Sequence, residues 1–186
     1  METRLLYQTD AYLKSVQARV LAVNGSAVAL DATVFYPAGG GQAQDLGRLI
    51  GDDRTWQVAK VWRESSIVWH GIEGEPLVTG TVIRAELDWD RRYAMMRTHT
   101  AFHILCGVVW RDYGAKVTGG NMEPLSGRMD LEFESLRAEL VREIEGLDVQ
   151  ADGGTHVAST QEVGRIRIVG YESKGKINKR IKLSIQ

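Results

Sequence analysis

The sequence predicts an α+β fold, and three observations point to it. Short stretches of alternating apolar and polar residues crowd the first 88 positions. One long segment, from about Trp89 to about Tyr113, carries apolar residues at helical spacing. Strand-like segments then return toward the end of the chain. These imply a β-rich region that closes as a small barrel or sandwich, followed by one central helix against antiparallel strands.

Ser15–Asn24 alternates in character, and Asn24-Gly25 supplies a tight turn into Ala27–Leu30. Thr55–Arg63, Ser66–His70 and Thr81–Leu87 follow as strands between turns rich in Gly, Asp and Glu. Pro37-Ala38-Gly39-Gly40-Gly41 interrupts them as a loop, because consecutive glycines lose too much backbone entropy to hold a strand. The texture changes near Asp88. Asp88 or Asp90 can cap the helix. Met95, Met96, Ala101, Phe102, Leu105, Val108 and Val109 give the helix broad apolar coverage, so it is buried on several sides, and Gly114 ends it. Strands follow at Ala115–Thr118, Arg128–Phe133, Gly164–Tyr171 and Arg180–Ile185. Within Ser135–Leu147, Leu136, Leu140, Ile144 and Leu147 share a helical face. Leu147, Val149 and Ala151 alternate as in a strand, so a short helix leading into a strand is expected.

At 186 residues the chain makes one large domain or two small ones. Its 44% hydrophobic and 25% charged residues are ordinary for a globular protein. No apolar run is long enough to span a bilayer, and METRLLYQTD lacks the apolar core of a secretory signal. The single Cys106 excludes an internal disulfide framework, and a reducing cytoplasm is the expected compartment. A formal charge of −1 gives no global attraction to nucleic acid, so any grip on phosphate must be local.

Three of the four histidines are placed suggestively. His99 and His103 are four apart and project from one helix face, where two imidazoles can share an ion. The spacing alone equally allows two packed or surface histidines. No Glu follows His99, so this is not the arrangement in which such a Glu serves as general base. His156 follows Asp152-Gly153-Gly154-Thr155, a turn that can aim the ring inward, with Asp152 able to supply an oxygen. The same turn also suits an Asp that caps backbone N–H groups beside an exposed His. Three imidazoles and one carboxylate suit zinc.

Taken in order, these segments resemble a known family. Asp88-Trp89-Asp90-Arg91-Arg92 with Met96-Arg97-Thr98-His99-Thr100-Ala101-Phe102-His103 resembles the HxxxH motif of the editing domain of alanyl-tRNA synthetases. Gly153-Gly154-Thr155-His156-Val157 resembles that domain's second metal motif. Phe35-Tyr36-Pro37-Ala38-Gly39-Gly40-Gly41-Gln42, with Asp45 and Gly47, resembles the glycine-rich motif of its accompanying β-barrel. With no aminoacylation domain in the chain, the likeness is to the AlaX family of free-standing alanyl-tRNA editing proteins, medium type. It implies an N-terminal β-barrel domain (1–88) and a zinc-binding editing domain (89–186). It implies zinc on His99, His103 and His156, and hydrolysis of mischarged tRNA(Ala), chiefly Ser-tRNA(Ala), with Gly-tRNA(Ala) as a second substrate. The family resemblance leaves two alternatives: editing of another mischarged tRNA such as Ser-tRNA(Thr), or a non-catalytic tRNA-binding module.

Two departures stand out. The family's second motif commonly begins with cysteine where this chain has Asp152. That aspartate is read as a direct ligand, with orientation of a histidine as the competing role. The family also places a substantial helical stretch where Ser135–Arg142 here passes almost directly between strands. Thr118 matches the place where the family sets a threonine beside the substrate amino acid, and it is equally an ordinary strand threonine. Lys174, Lys176, Lys179, Arg180 and Lys182 fall within nine residues that contain no acid. Such a run is a solvated hairpin or, with a tRNA substrate, a phosphate contact. Gly40, Gly41 and Gln42 are either a plain loop or one whose backbone approaches the terminal nucleotide.

Overall fold

The computed structural model describes residues 1–75, 77–132, 153–175 and 177–186. The expected helix and strand within 135–151, the strand end at Phe133, and Asp152 and Lys176 lie outside the described residues. Two compact units emerge. The first comprises Met1–Gly39, Ala43–Arg92 and Gly153–Thr155. The second holds Gly40–Gln42 and, of the described residues, those from Tyr93 onward other than 153–155.

The first unit is a closed barrel. Its strands are β2 (Ser15–Asn24), β3 (Ala27–Leu30), β5 (Gly47–Ile50), β6 (Thr55–Glu64), β7 (Ile67–Ile72) and β8 (Val82–Leu87), ordered β2-β3-β7-β6-β5-β8. Two-residue strands β1 (Arg4–Leu5) and β4 (Ala32–Thr33) pair in parallel beside it. Alternation explains the closure. Trp56, Val58 and Val61 of β6 and Val68 and Ile72 of β7 turn inward against Leu30, Leu49, Ile83 and Ala85. Each fully buried aliphatic side chain of this kind contributes about 1.5–3 kcal/mol.

A polar residue sits in that interior. His70 is fully buried on β7, its ring edge-on to Phe35. A backbone carbonyl can only accept, so Nδ1–H donates to the Val28 carbonyl at 3.2 Å, and Nε2 accepts from the Thr33 hydroxyl at 2.8 Å. Burial penalises the charged ring and lowers its pKa from 6.5 to about 4, against a smaller opposing effect of the Val28 bond. The unfolded chain therefore binds the extra proton between those values. This contribution to stability is complete above pH 6.5 and is lost as pH falls toward 4, by ~3 kcal/mol in all. Denaturant midpoints followed from pH 7 to pH 4 should fall less steeply in His70→Leu than in the parent. Identical slopes would contradict the assignment.

A helix, α1 (Trp89–Tyr113), begins in this unit. Asp88 caps it, accepting the Arg91 N–H at 3.1 Å. In its first turn Arg92 is wholly buried and forms an ion pair with Asp45, itself 1% exposed. The Arg92 guanidinium also donates to the carbonyls of Ala11 (3.0 Å) and Val34 (2.5 Å), and the Asp45 carboxylate accepts the Tyr36 N–H at 2.6 Å.

In the second unit α1 continues to Tyr113, and Gly114 stops it with φ +61°, the left-handed conformation of a helix C-cap. The unit's sheet runs β11-β12-β10-β9, all antiparallel: β9 (Val117–Glu123), β10 (Ser126–Glu132), β11 (Ile166–Ser173) and β12 (Asn178–Ile185). Met129 and Leu131 of β10 and Ile181 and Leu183 of β12 are buried on one face. The Phe102 ring from α1 lies over Gly120 and Gly127, where a Cβ would come within 3.0 and 2.7 Å of it. Larger residues there would push the helix away. No helix among the described residues is long and apolar enough to cross a membrane.

Candidate metal centre

The second unit gathers the three histidines singled out by sequence. His99 and His103 lie one turn apart on α1, with ring centroids 5.1 Å apart. His156, far along the chain, brings its ring to 4.3 Å from His99 and 5.0 Å from His103. One nitrogen from each ring falls within 4.8 Å of the others. His99 is 3% exposed and the other two are half-buried. Three convergent imidazoles suit zinc, which binds such nitrogens at about 2.0–2.1 Å, so the donor set fits the ion implied by the family.

Neighbouring residues hold the rings. His99 Nδ1 lies 2.8 Å from the Gln42 side-chain oxygen. His156 Nδ1 lies 3.3 Å from the Thr100 hydroxyl, which also accepts the Val157 N–H at 3.3 Å. Neither contact was foreseen from sequence. The spacing of Thr100, one residue past His99, was visible, but its partner is 56 positions away.

A pocket of about 400 Å³ opens beside the cluster, lined by His99, Phe102, His103 and Cys106 of α1, Thr118 and Met122 of β9, and Gly40. Thr118 is exposed and Cys106 half-buried. The glycine loop reaches the same place for a steric reason. Gly41 has φ +84°, its carbonyl accepts the Met122 N–H at 3.1 Å, and a Cβ there would meet the Gly120 oxygen at 3.3 Å.

The described cations of the basic run lie on the β11–β12 hairpin, and they have local partners. Lys179 is buried, donating to the Ser173 hydroxyl at 3.1 Å and the Gly175 carbonyl at 2.7 Å. Arg180 grips Asp130 through two bonds of 2.6 and 2.8 Å, which holds that carboxyl below its usual pKa. Lys182 pairs with Glu172 at 2.5 Å, and Lys174 stands 3.6 Å from the same carboxylate.

Residues 6–91 match the family model for class II (A) tRNA synthetases, and residues 141–182 match the second additional domain of threonyl and alanyl tRNA synthetases. The chain is 33% identical to an alanyl-tRNA editing protein AlaX-M from Saccharolobus solfataricus, over 99% of both chains. It is 32% identical to an AlaX-M from Pyrococcus horikoshii, covering 99% of this chain and 98% of that one. An alanine–tRNA ligase of Hyperthermus butylicus is 33% identical over 91% of this chain but 24% of its own length. The chain belongs to the AlaX-M family of alanyl-tRNA editing proteins. Its alignment to the Saccharolobus protein runs over 235 residues against 186 in this chain, so that relative carries residues with no counterpart here.

Proposed function

We propose that this protein is a trans-editing deacylase of mischarged tRNA(Ala), acting chiefly on Ser-tRNA(Ala) and secondarily on Gly-tRNA(Ala) in the cytoplasm. The observation that carries the proposal is the convergence of His99, His103 and His156 into one cluster, the first two lining a pocket, in a member of an alanyl-tRNA editing family. In this reading residues 1–88 form the barrel domain and 89–186 the editing domain. The three histidines and Asp152 hold zinc, which supplies Lewis-acid polarisation and activation of water for ester hydrolysis.

The chain's own residues do the selecting. Phe102 and Met122 bound a pocket suited to a small side chain, and the exposed Thr118 hydroxyl is available to bond the hydroxyl of a seryl group. Gly40 and Gly41, lacking side chains, let backbone approach the terminal nucleotide, with Gln42 completing the loop. Lys174, Lys176, Lys179 and Arg180 supply the grip on tRNA phosphate, with Lys179 and Arg180 also bracing the β11–β12 hairpin.

Deacylation of Ser-, Gly- and Ala-tRNA(Ala) and of Ser-tRNA(Thr), measured side by side, tests this. Ser-tRNA(Ala) should be cleared fastest and Ala-tRNA(Ala) spared. Thr118→Val should slow serine removal more than glycine removal, by about 1–3 kcal/mol, because it leaves the seryl hydroxyl unpaired. Equal loss on both substrates would remove Thr118 from the selecting role. Preference for Ser-tRNA(Thr) would redirect the proposal to that tRNA, and binding without hydrolysis would make the protein a tRNA-binding module.

A further inference from the structure

We propose that Gln42 is a positioning residue of the metal centre, setting the protonation of His99 so that the ring offers Nε2 to the ion. This rests on the reading that the histidine cluster binds a metal.

The chemistry follows from one contact. The oxygen of the Gln42 side chain lies 2.8 Å from His99 Nδ1, and a carbonyl oxygen can only accept. Nδ1 therefore carries the proton. A neutral imidazole has one N–H, so its lone pair is on Nε2, the atom left to ligate. Gln42 is 2% exposed and His99 3%, so water does not compete for the bond. Metal-binding histidines regularly donate their second nitrogen's proton to such an acceptor.

The supply of that acceptor is unusual. It comes from the glycine loop of the barrel sequence, yet Gly40–Gln42 groups with the metal-bearing unit. The loop is fixed there by the Met122 N–H on the Gly41 carbonyl, and only glycine at 41 fits the positive φ and the approach to Gly120. A side chain held this way orients a ring on α1 that lies 57 positions away in sequence. The glycine loop thus has a second task, carried by the Gln42 side chain rather than by backbone: to preorganise a ligand.

The test uses the full chain and zinc itself. Parental protein, Gln42→Leu and Gln42→Glu are compared for zinc affinity by competition with a chromophoric chelator, and for unfolding of the metal-free protein. Leucine has similar bulk and no acceptor, whereas glutamate keeps an oxygen at the same reach. Gln42→Leu should weaken zinc about 10–100-fold, and Gln42→Glu should retain parental affinity. In the metal-free parent, long-range ¹H–¹⁵N NMR should find His99 as the Nδ1–H tautomer, a measurement independent of whether Gln42→Leu folds. Parental affinity in Gln42→Leu, equal loss in both variants, or an Nε2–H tautomer for His99 would each overturn the proposal. A parent that binds no zinc would instead overturn the metal reading on which it rests, an outcome seen before any variant is compared.

Discussion

His103→Ala is expected to reduce zinc from about one ion per chain to almost none, and deacylation with it. The reason is geometric. On the proposed reading His99 and His103 chelate as a pair from successive turns of α1, and without His103 that helix offers a lone imidazole. His156, with its ring centroid 5.0 Å from that of His103, cannot replace the pair. Metal analysis of the purified variant, with deacylation measured before chelation and after zinc is restored, checks both parts. Full activity in metal-free parental protein would sink the zinc mechanism. Parental zinc content in an inactive His103→Ala would move His103 from ligand to a contact with substrate.

The second large effect is structural. Arg92→Met should destabilise the protein by ~3–5 kcal/mol, because it strands the Asp45 carboxylate in an interior where that carboxylate is 1% exposed. It also removes the donors that satisfy the Ala11 and Val34 carbonyls. Asp45→Asn should also be costly, since it strands the Arg92 guanidinium without its counter-charge, although the amide oxygen can still accept the Tyr36 N–H. The double variant should be destabilised by less than the sum of the two, as expected of residues sharing one network. Denaturant unfolding of the four proteins provides the cycle. Strict additivity would show that the pair acts as two independent residues.

Much of this was legible in residue order. The 3.6-residue spacing and the Asp88 cap placed α1 at Trp89–Tyr113, where the structure has it. Alternation placed β2, β6 and β8 close to their observed bounds, because one face of each is more buried and the pleat has a period of two, while β3, buried on both faces, was placed by the Asn24-Gly25 turn. Elements with weak local signals were missed. β1 and β4 are two residues long, and β5 begins at Gly47 directly after the glycine loop. β9 continues through Gly119 and Gly120, which have low strand propensity, to Glu123, well past the expected end at Thr118. At Gly120 the Phe102 ring occupies the space that a side chain would need, so packing overrode propensity.

The histidine pair of α1 is a local fact. Four residues make just over one turn, so any helix over this segment puts His99 and His103 on one face. The α+β class is similarly local, since it follows from the periods of successive segments. Contacts between distant positions are of another kind. That His156 joins the pair, that Thr100 meets it across 56 positions, and that Gln42 meets His99 across 57 depends on chain paths that no local period encodes. The same holds for Arg92, a residue type almost never fully buried unless paired. It is buried because Asp45 and two carbonyls converge on it. Local spacing determines which side chains an element can present together; only the folded chain brings the partners that neutralise, orient or bury them.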